Sequence, residues 1–175
     1  LEADRVLLAV GVVGRTDGLC DASLGLKIDR GHIVTDYVPN KTTSEAIDYK
    51  TNLPGVYAVG DVIGPPWLAH VASEEAIICV ERIAWRKKKL NHEPIPIDYT
   101  VIPGCTYCIP QVASVGFTEQ KLIEMGKVAG KDYAIGKYNF TSHGKTFAAA
   151  HTDDFVNVTR ALPRGEILGA HIIGD

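Results

Sequence analysis

Long apolar runs are missing from this sequence. The longest, Val6 to Val13, is interrupted by Gly11 and falls well short of the roughly 20 residues a membrane-spanning helix needs, so no membrane partner is expected. An excess of one charge is missing too. Eighteen Lys and Arg against 21 Asp and Glu leave a formal net charge of −3, which supplies no electrostatic reason to bind nucleic acid. No G-x-G-x-x-G phosphate loop occurs, and no second C-x-x-C accompanies Cys105-Thr106-Tyr107-Cys108. With Cys20 and Cys79 the only other cysteines and no paired His cluster, the set falls short of the roughly four ligands of a zinc centre. A thioredoxin-like pair wants its first Cys at a helix N-terminus, whereas Pro103-Gly104 and Pro110 bracket Cys105 in turn or extended structure. Cys105 and Cys108 are therefore read as inert thiols ahead of a functional pair; Cys20 falls in a polar loop and Cys79 on the predicted helix. The opening Leu-Glu-Ala-Asp-Arg lacks the basic and apolar regions of a secretory leader, so export is not expected. The remaining composition, 46% hydrophobic and 22% charged over 175 residues, suits one good core or two small ones.

What is present centres on Thr51 to Ala76. Thr51-Asn52-Leu53-Pro54-Gly55 predicts a turn, because Pro54 fixes φ and Gly55 supplies conformational freedom. Val56-Tyr57-Ala58-Val59 reads as a short apolar strand ended by Gly60-Asp61. Gly64-Pro65-Pro66 breaks the chain, and Leu68, Ala69, Ala72, Ala76, Val80 and Ile83 then recur at the three- and four-residue spacing of an amphipathic helix. That helix should run from about Trp67 to the basic run Arg86-Lys87-Lys88-Lys89, which reads as a solvated helix end. Strand, Gly-Asp corner and proline-led helix make a receiver for a polar, partly anionic ligand. The Asp61 carboxylate can accept hydrogen bonds from hydroxyls, and a helix opening near Trp67 offers backbone N–H groups and the positive end of the dipole. Taken singly, Asp61 reads sooner as a turn or cap residue and His70 as an ordinary helix-face histidine; the joint motif reverses that order.

Tyr57-Ala-Val-Gly-Asp61, followed by Leu68-Ala69-His70 and a Glu-rich helix, resembles the flavin-binding segment of the dihydrolipoamide dehydrogenases, within the pyridine nucleotide–disulfide oxidoreductases. The resemblance covers nearly the whole chain but only the C-terminal part of the family's length. It implies that Asp61, after Gly60, meets the ribityl chain of FAD. It also implies that Trp67, Leu68, Ala69 and His70 lie along the pyrimidine side of the flavin ring, where reduction places negative charge that a helix N-terminus stabilises by roughly 0.3–2 kcal/mol. Gly11 is implied as a contact of the nicotinamide nucleotide, with a tight turn as the plainer reading. The family reaction oxidises dihydrolipoamide and passes electrons through a redox disulfide and FAD to NAD. Implied partners are a second copy bound through the C-terminal domain, 2-oxoacid dehydrogenase complexes and their lipoyl domains. The implied setting is cytoplasmic, or the mitochondrial matrix in a eukaryote. Leu68-Ala69-His70 favours the lipoamide enzymes, since glutathione reductases usually carry Leu-Thr-Pro there; glutathione and mercuric reductases are the alternatives within the family. A small dimerisation or interaction module without redox chemistry is the alternative outside it.

Along the chain, Arg5 to Gly11 reads as a buried strand. The family usually follows that glycine with Arg-x-Pro-Asn-Thr, whereas Val12-Val13-Gly14-Arg15-Thr16 stands here. Leu24 to Thr35 is hairpin-like around Asp29-Arg30-Gly31, and Asn40 to Lys50 reads as an elaborated surface loop. A proline-containing connection at Asn91 to Pro96 marks the boundary between an incomplete NAD/FAD-binding region, 1–96, and an interface domain, 97–175. In the latter, Val112 to Phe117 predicts a strand, Thr118 caps a short helix stopped by Gly126, and Tyr133 to Phe140 predicts another strand. Phe155 to Leu162 and Ile167 to Ile173 predict a hairpin about Pro163-Arg164-Gly165. The expected fold class is an α/β remnant of dinucleotide-binding domains followed by an α+β interface domain with a mostly antiparallel sheet.

The family's redox pair is C-x-x-x-x-C, a spacing that none of the four cysteines has, and its His–Glu base would fall beyond Asp175. His143, His151 and His171 sit in other motifs and are not assigned catalytic roles. No catalytic residue is expected in this chain, which is read as an inactive piece of an active parent.

Overall fold

A computed structural model describes residues 2–38, 47–149 and 154–174. The chain divides into two compact units, Leu1–Ile97 and Asp98–Asp175.

In the first unit, β1 (Ile28–Asp29) and β2 (His32–Ile33) form an antiparallel hairpin with Ile28 opposite Ile33. The two turn residues, Arg30 and Gly31, both have positive φ (48° and 80°), which suits the right-handed twist of the paired strands. The Asn52 side chain staples this region to the next segment, donating to the Gly25 carbonyl (2.9 Å) and accepting from the Lys27 N–H (2.8 Å). Isolated bridges pair Thr35 with Thr51 and Lys50 with Tyr57. Helix α1 (Ala69–Arg86) packs on this layer, and Ile33, Tyr37, Tyr49, Ala58 and Ile63 are buried in the same unit.

Three expectations for this unit are corrected. The Arg5–Gly11 stretch is extended but joins no ladder, and Val6 and Leu8 are 87% and 79% exposed. A continuous apolar strand needs neighbours on its edges and cover on both faces, and the described residues supply neither. Val56 to Val59 makes only the single bridge at Tyr57, because the chain turns into a 3₁₀ helix at Gly60. Helix α1 starts at Ala69, and its buried stripe is Val71, Glu75, Ile78, Cys79 and Arg82, not the Ala72-Ala76-Val80 face; Val80 is 66% exposed. Of the proposed Asn40–Lys50 loop, residues 40–46 lie outside the described residues.

The stripe is rotated because two of its charged members carry their own partners inward. Glu75 accepts from a backbone N–H. Arg82, 1% exposed, pairs through Nε with the Asp48 carboxylate and through Nη1 with Glu93 (3.2 Å). Asp48 also accepts from Lys50 (2.5 Å) and Arg86 (3.0 Å), and Arg82 and Arg86 both lie over the Trp85 ring. Burial alone would raise the Asp48 carboxyl, but the hydrogen bonds and charges of Lys50 and Arg82 outweigh it and hold it below the usual carboxylate range.

The second unit is a five-stranded antiparallel sheet in the order β3 (Gly104–Thr106), β4 (Val112–Gly116), β7 (Ile167–Ile173), β6 (Phe155–Ala161), β5 (Tyr133–Asn139). Ser114 faces His171, and His171 faces Asn157, so the three central strands are in one register across the middle of the sheet. Helix α2 (Glu119–Glu124) begins where Thr118 Oγ1 accepts from the Lys121 N–H (3.1 Å) and seats Leu122, 2% exposed. The strand expected to reach Phe140 ends at Asn139, where a 3₁₀ turn leads into α3 (Gly144–Ala149). The architecture is the expected one: an α/β portion followed by an α+β unit on a mostly antiparallel sheet.

Candidate functional site

The candidate site is the corner at Gly60-Asp61 together with the start of α1. The chain reaches it through a turn in which the Val56 N–H donates to the Leu53 carbonyl (3.2 Å), with Pro54 second and Gly55 third at φ +77°. The Ala58 N–H then donates to the Tyr49 carbonyl (3.1 Å), laying residues 56–58 beside the Tyr49 segment. At Gly60 φ becomes +76°, a value L side chains rarely adopt, and a Cβ there would stand 3.1 Å from the Ala72 Cβ. Glycine is thus required twice over. The Gly60 N–H donates to the buried Glu75 carboxylate at 2.6 Å, a short charge-assisted bond that seats the corner on α1.

The next residues form a 3₁₀ turn, Gly60–Ile63, with Asp61 in it, and the Gly64 N–H closes onto the Asp61 carbonyl (3.2 Å). The Asp61 side chain is exposed, and no hydrogen bond to its carboxylate forms among the described residues. The Pro65 carbonyl accepts from the Tyr37 hydroxyl (2.5 Å). Burial, with the Glu75 charge second, pushes the Tyr37 phenol up to about 12, so it stays a donor at neutral pH.

Leu68 caps α1 in an extended conformation without a side-chain cap bond, and its carbonyl accepts from Ala72 (3.0 Å). Helix geometry leaves the N–H groups of Ala69, His70 and Val71 without intrahelical acceptors. No acidic residue stands in the first turn to neutralise that end, and Ala69 and His70 are exposed. Trp67, 40% exposed, stacks on His32 with ring centroids 6.1 Å apart. An open cleft of about 520 Å³ adjoins the turn, lined by Arg30, His32, Ile33, Tyr37, Ile63 and Pro65 among others.

Of the residues singled out in the sequence, the fold places Gly60 and Asp61 against the N-terminal half of α1, and Trp67, Leu68, Ala69 and His70 at its mouth. Gly11 (φ +102°) lies in the exposed extended stretch, in no contact that a Cβ would disturb. Sequence reasoning missed three residues. Glu75 and Tyr37 lock the two ends of the corner. At Gly14 a Cβ would fall 2.5 Å from the Gly31 carbonyl and 3.4 Å from Val62, so the loop after Gly11 presses on the hairpin turn and the 3₁₀ turn. The one available signal was Glu75 falling in register with Val71, Ile78 and Arg82.

Elsewhere, His171 is pinned in the second unit. Its Nε2 lies 3.1 Å from the Phe117 carbonyl, the donor arrangement, which leaves Nδ1 to accept from the Ser114 hydroxyl at 2.6 Å. It lines a groove of about 410 Å³ with Val112, Phe155, Asn157 and Ile173. His143 packs near Phe140 and Thr146, and His151 lies outside the described residues. All four cysteines are free thiols. Cys20, Cys105 and Cys108 are exposed, while burial, then the Asp36 and Asp48 charges, push the Cys79 thiol up. Among the described residues no group of three or more His, Cys, Asp or Glu is placed to hold a metal ion.

Comparison with known proteins places the chain in a family. The pattern of the pyridine nucleotide-disulphide oxidoreductases matches residues 1–76, and that of their dimerisation domain matches residues 102–175. A dihydrolipoyl dehydrogenase of Rhizobium etli is 43% identical over 99% of this chain and 32% of its own length. One from Chlorobaculum tepidum is 39% identical over 99% and 33%. The chain thus spans about a third of the length of these curated relatives. Among solved structures, LpdA from Mycobacterium tuberculosis superposes with a TM-score of 0.69 at 20% identity, over 96% of this chain and 32% of that one. The copper(II) complex of RclA, an HOCl-induced flavoprotein disulfide reductase from Escherichia coli, gives 0.71 at 19% identity, over 95% and 34%. At such identities the likeness is one of fold.

Proposed function

The chain belongs to the pyridine nucleotide–disulphide oxidoreductase family, and from that membership we propose that it is part of a flavin-dependent dihydrolipoamide dehydrogenase. The observation that carries the reading is the corner itself. Asp61, an exposed carboxylate that receives no hydrogen bond among the described residues, follows Gly60, which rests on Ala72 in the first turn of a helix whose mouth has no acidic residue of its own. That pairing suits FAD, whose ribityl hydroxyls can donate to Asp61 and whose pyrimidine edge carries negative charge when reduced. In this reading Gly60 sets the direction of Asp61, and Trp67, Leu68, Ala69 and His70 border the flavin. Gly11 lies toward the NAD site.

FAD supplies the two-electron relay between a dithiol and NAD when bound. The residues of this chain orient the flavin and bias its charge; a redox disulfide and a proton-accepting base come from parts of the parent outside this chain. The residues 1–96 supply part of the NAD and FAD sites, and 97–175 pair two copies into a homodimer. By the same reading, this piece alone is inactive, and the parent works in the cytoplasm or mitochondrial matrix with the lipoyl domains of a 2-oxoacid dehydrogenase complex.

The test is made on the full-length protein. It should purify with bound FAD and reduce NAD when given dihydrolipoamide. Turnover of glutathione disulfide or mercuric ion with a reduced nicotinamide cofactor, and none of dihydrolipoamide, would move it to another branch of the family. Absence of flavin and of all three activities would leave only a dimerisation module.

A further inference from the structure

We propose that Glu75 is a positioning residue for the flavin: it acts through Gly60 to hold the Asp61 carboxylate in the direction that a ribityl chain requires. The inference rests on the flavin reading of the corner. Glu75 sits on the buried stripe of α1 and is 2% exposed, an unusual place for a carboxylate unless something inward uses it. Its Oε2 takes the Gly60 N–H at 2.6 Å, one residue before Asp61. The same glycine rests on Ala72, one turn earlier on the helix. Two successive turns of α1 therefore grip the backbone from which the Asp61 side chain departs. Beyond the 3₁₀ turn, the Tyr37 hydroxyl donates to the Pro65 carbonyl. Asp61 itself is exposed and receives no hydrogen bond from the described residues, so its aim is set by the backbone before and after it. Glu75 fixes the nearer of those two ends.

Reach distinguishes this role from plain burial of a charge. Glu75→Gln keeps an acceptor oxygen at the same distance and removes the charge. Glu75→Asp keeps the charge and withdraws it by one methylene. Glu75→Ala removes both. FAD dissociation constants are measured by flavin fluorescence on the full-length apoprotein, with thermal unfolding of each apoprotein alongside. Expected results are near-normal affinity in Glu75→Gln and weakening of about tenfold in Glu75→Asp and Glu75→Ala, the scale of one buried N–H left without its acceptor. In an Asp61→Ala background the same Glu75→Asp change should weaken FAD less than about twofold, because a residue acting through another loses its effect when that other is gone. Equal weakening in both backgrounds, or a folded Glu75→Asp protein with normal affinity, overturns the proposal. If Asp61→Ala alone leaves FAD affinity unchanged, the flavin reading of the corner falls and Glu75's role falls with it, an outcome distinct from either of those.

Discussion

Replacing Gly60 by Ala tests the corner's construction by separating two costs. The residue stands at φ +76°, and an L side chain in the left-handed region costs about 1–2 kcal/mol. A new Cβ would also lie 3.1 Å from the Ala72 Cβ, inside the 3.5–4.0 Å of an ordinary carbon contact, so Ala72 or the corner must give by a few tenths of an ångström. Overpacking of this kind costs at least about 1 kcal/mol, which brings the sum to roughly 2–3 kcal/mol. Gly55 is the internal control: its φ is +77°, but nothing lies within 4 Å of its Cβ position. Gly55→Ala should therefore lose only the conformational part, about 1–2 kcal/mol. Equilibrium urea unfolding of the two full-length variants, run side by side, reads the difference. Flavin affinity should fall in Gly60→Ala and hold in Gly55→Ala. A Gly60→Ala protein no less stable than Gly55→Ala would refute the close approach of corner and helix.

Other predictions concern the groups around that corner. Asp48→Ala leaves Arg82 buried without its main carboxylate and should cost about 3–5 kcal/mol, checked by denaturant unfolding. Because the folded Asp48 carboxyl lies below its ordinary value, its contribution is complete above roughly pH 4 and is lost as pH falls through the lower folded value; Asp48→Asn should remove that part of the acid slope. Tyr37 titrates in the opposite sense. With its phenol pushed up to about 12, the unfolded chain loses this proton first, so stability present below pH 10 is lost between roughly 10 and 12. The loss amounts to about 2–3 kcal/mol, and Tyr37→Phe should flatten it in alkaline unfolding curves. In the second unit, Thr118→Ala removes the cap of α2 and should destabilise by about 1 kcal/mol, read by thermal unfolding.

The second unit was largely legible in the sequence because its rules are local. Alternation in Phe155–Ala161 and Ile167–Ile173 marked the hairpin, and Thr118 with Gly126 marked both ends of α2. Strand β3 was not predicted, since Gly104-Cys105-Thr106 is too short to show a period; it exists by pairing with β4. In the first unit the corner and the Arg30-Gly31 hairpin could be read from glycine and proline placement. The inward face of α1 could not. Hydrophobic periodicity counts Glu75 and Arg82 as outward, and only the distant partners Gly60 and Asp48 turn them in. Arg5–Gly11 is the converse case: its apolar continuity suits a covered strand, but the described residues, from a chain about a third of the relatives' length, place no strand beside it. Gly14, Tyr37 and Glu75 matter through contacts 15 or more residues away, which no spacing rule reports.

The central claim is that the Gly60–Asp61 corner and the mouth of α1 hold a flavin, and the FAD content of full-length Asp61→Ala, purified beside the unaltered protein, tests it most directly. The account predicts a yellow parent with a full complement of FAD and a folded variant whose FAD affinity has fallen by about tenfold or more, the loss expected for hydrogen bonds to a charged acceptor. A variant that retains its flavin undiminished, or a parent that is colourless and stays so when FAD is added, would contradict it.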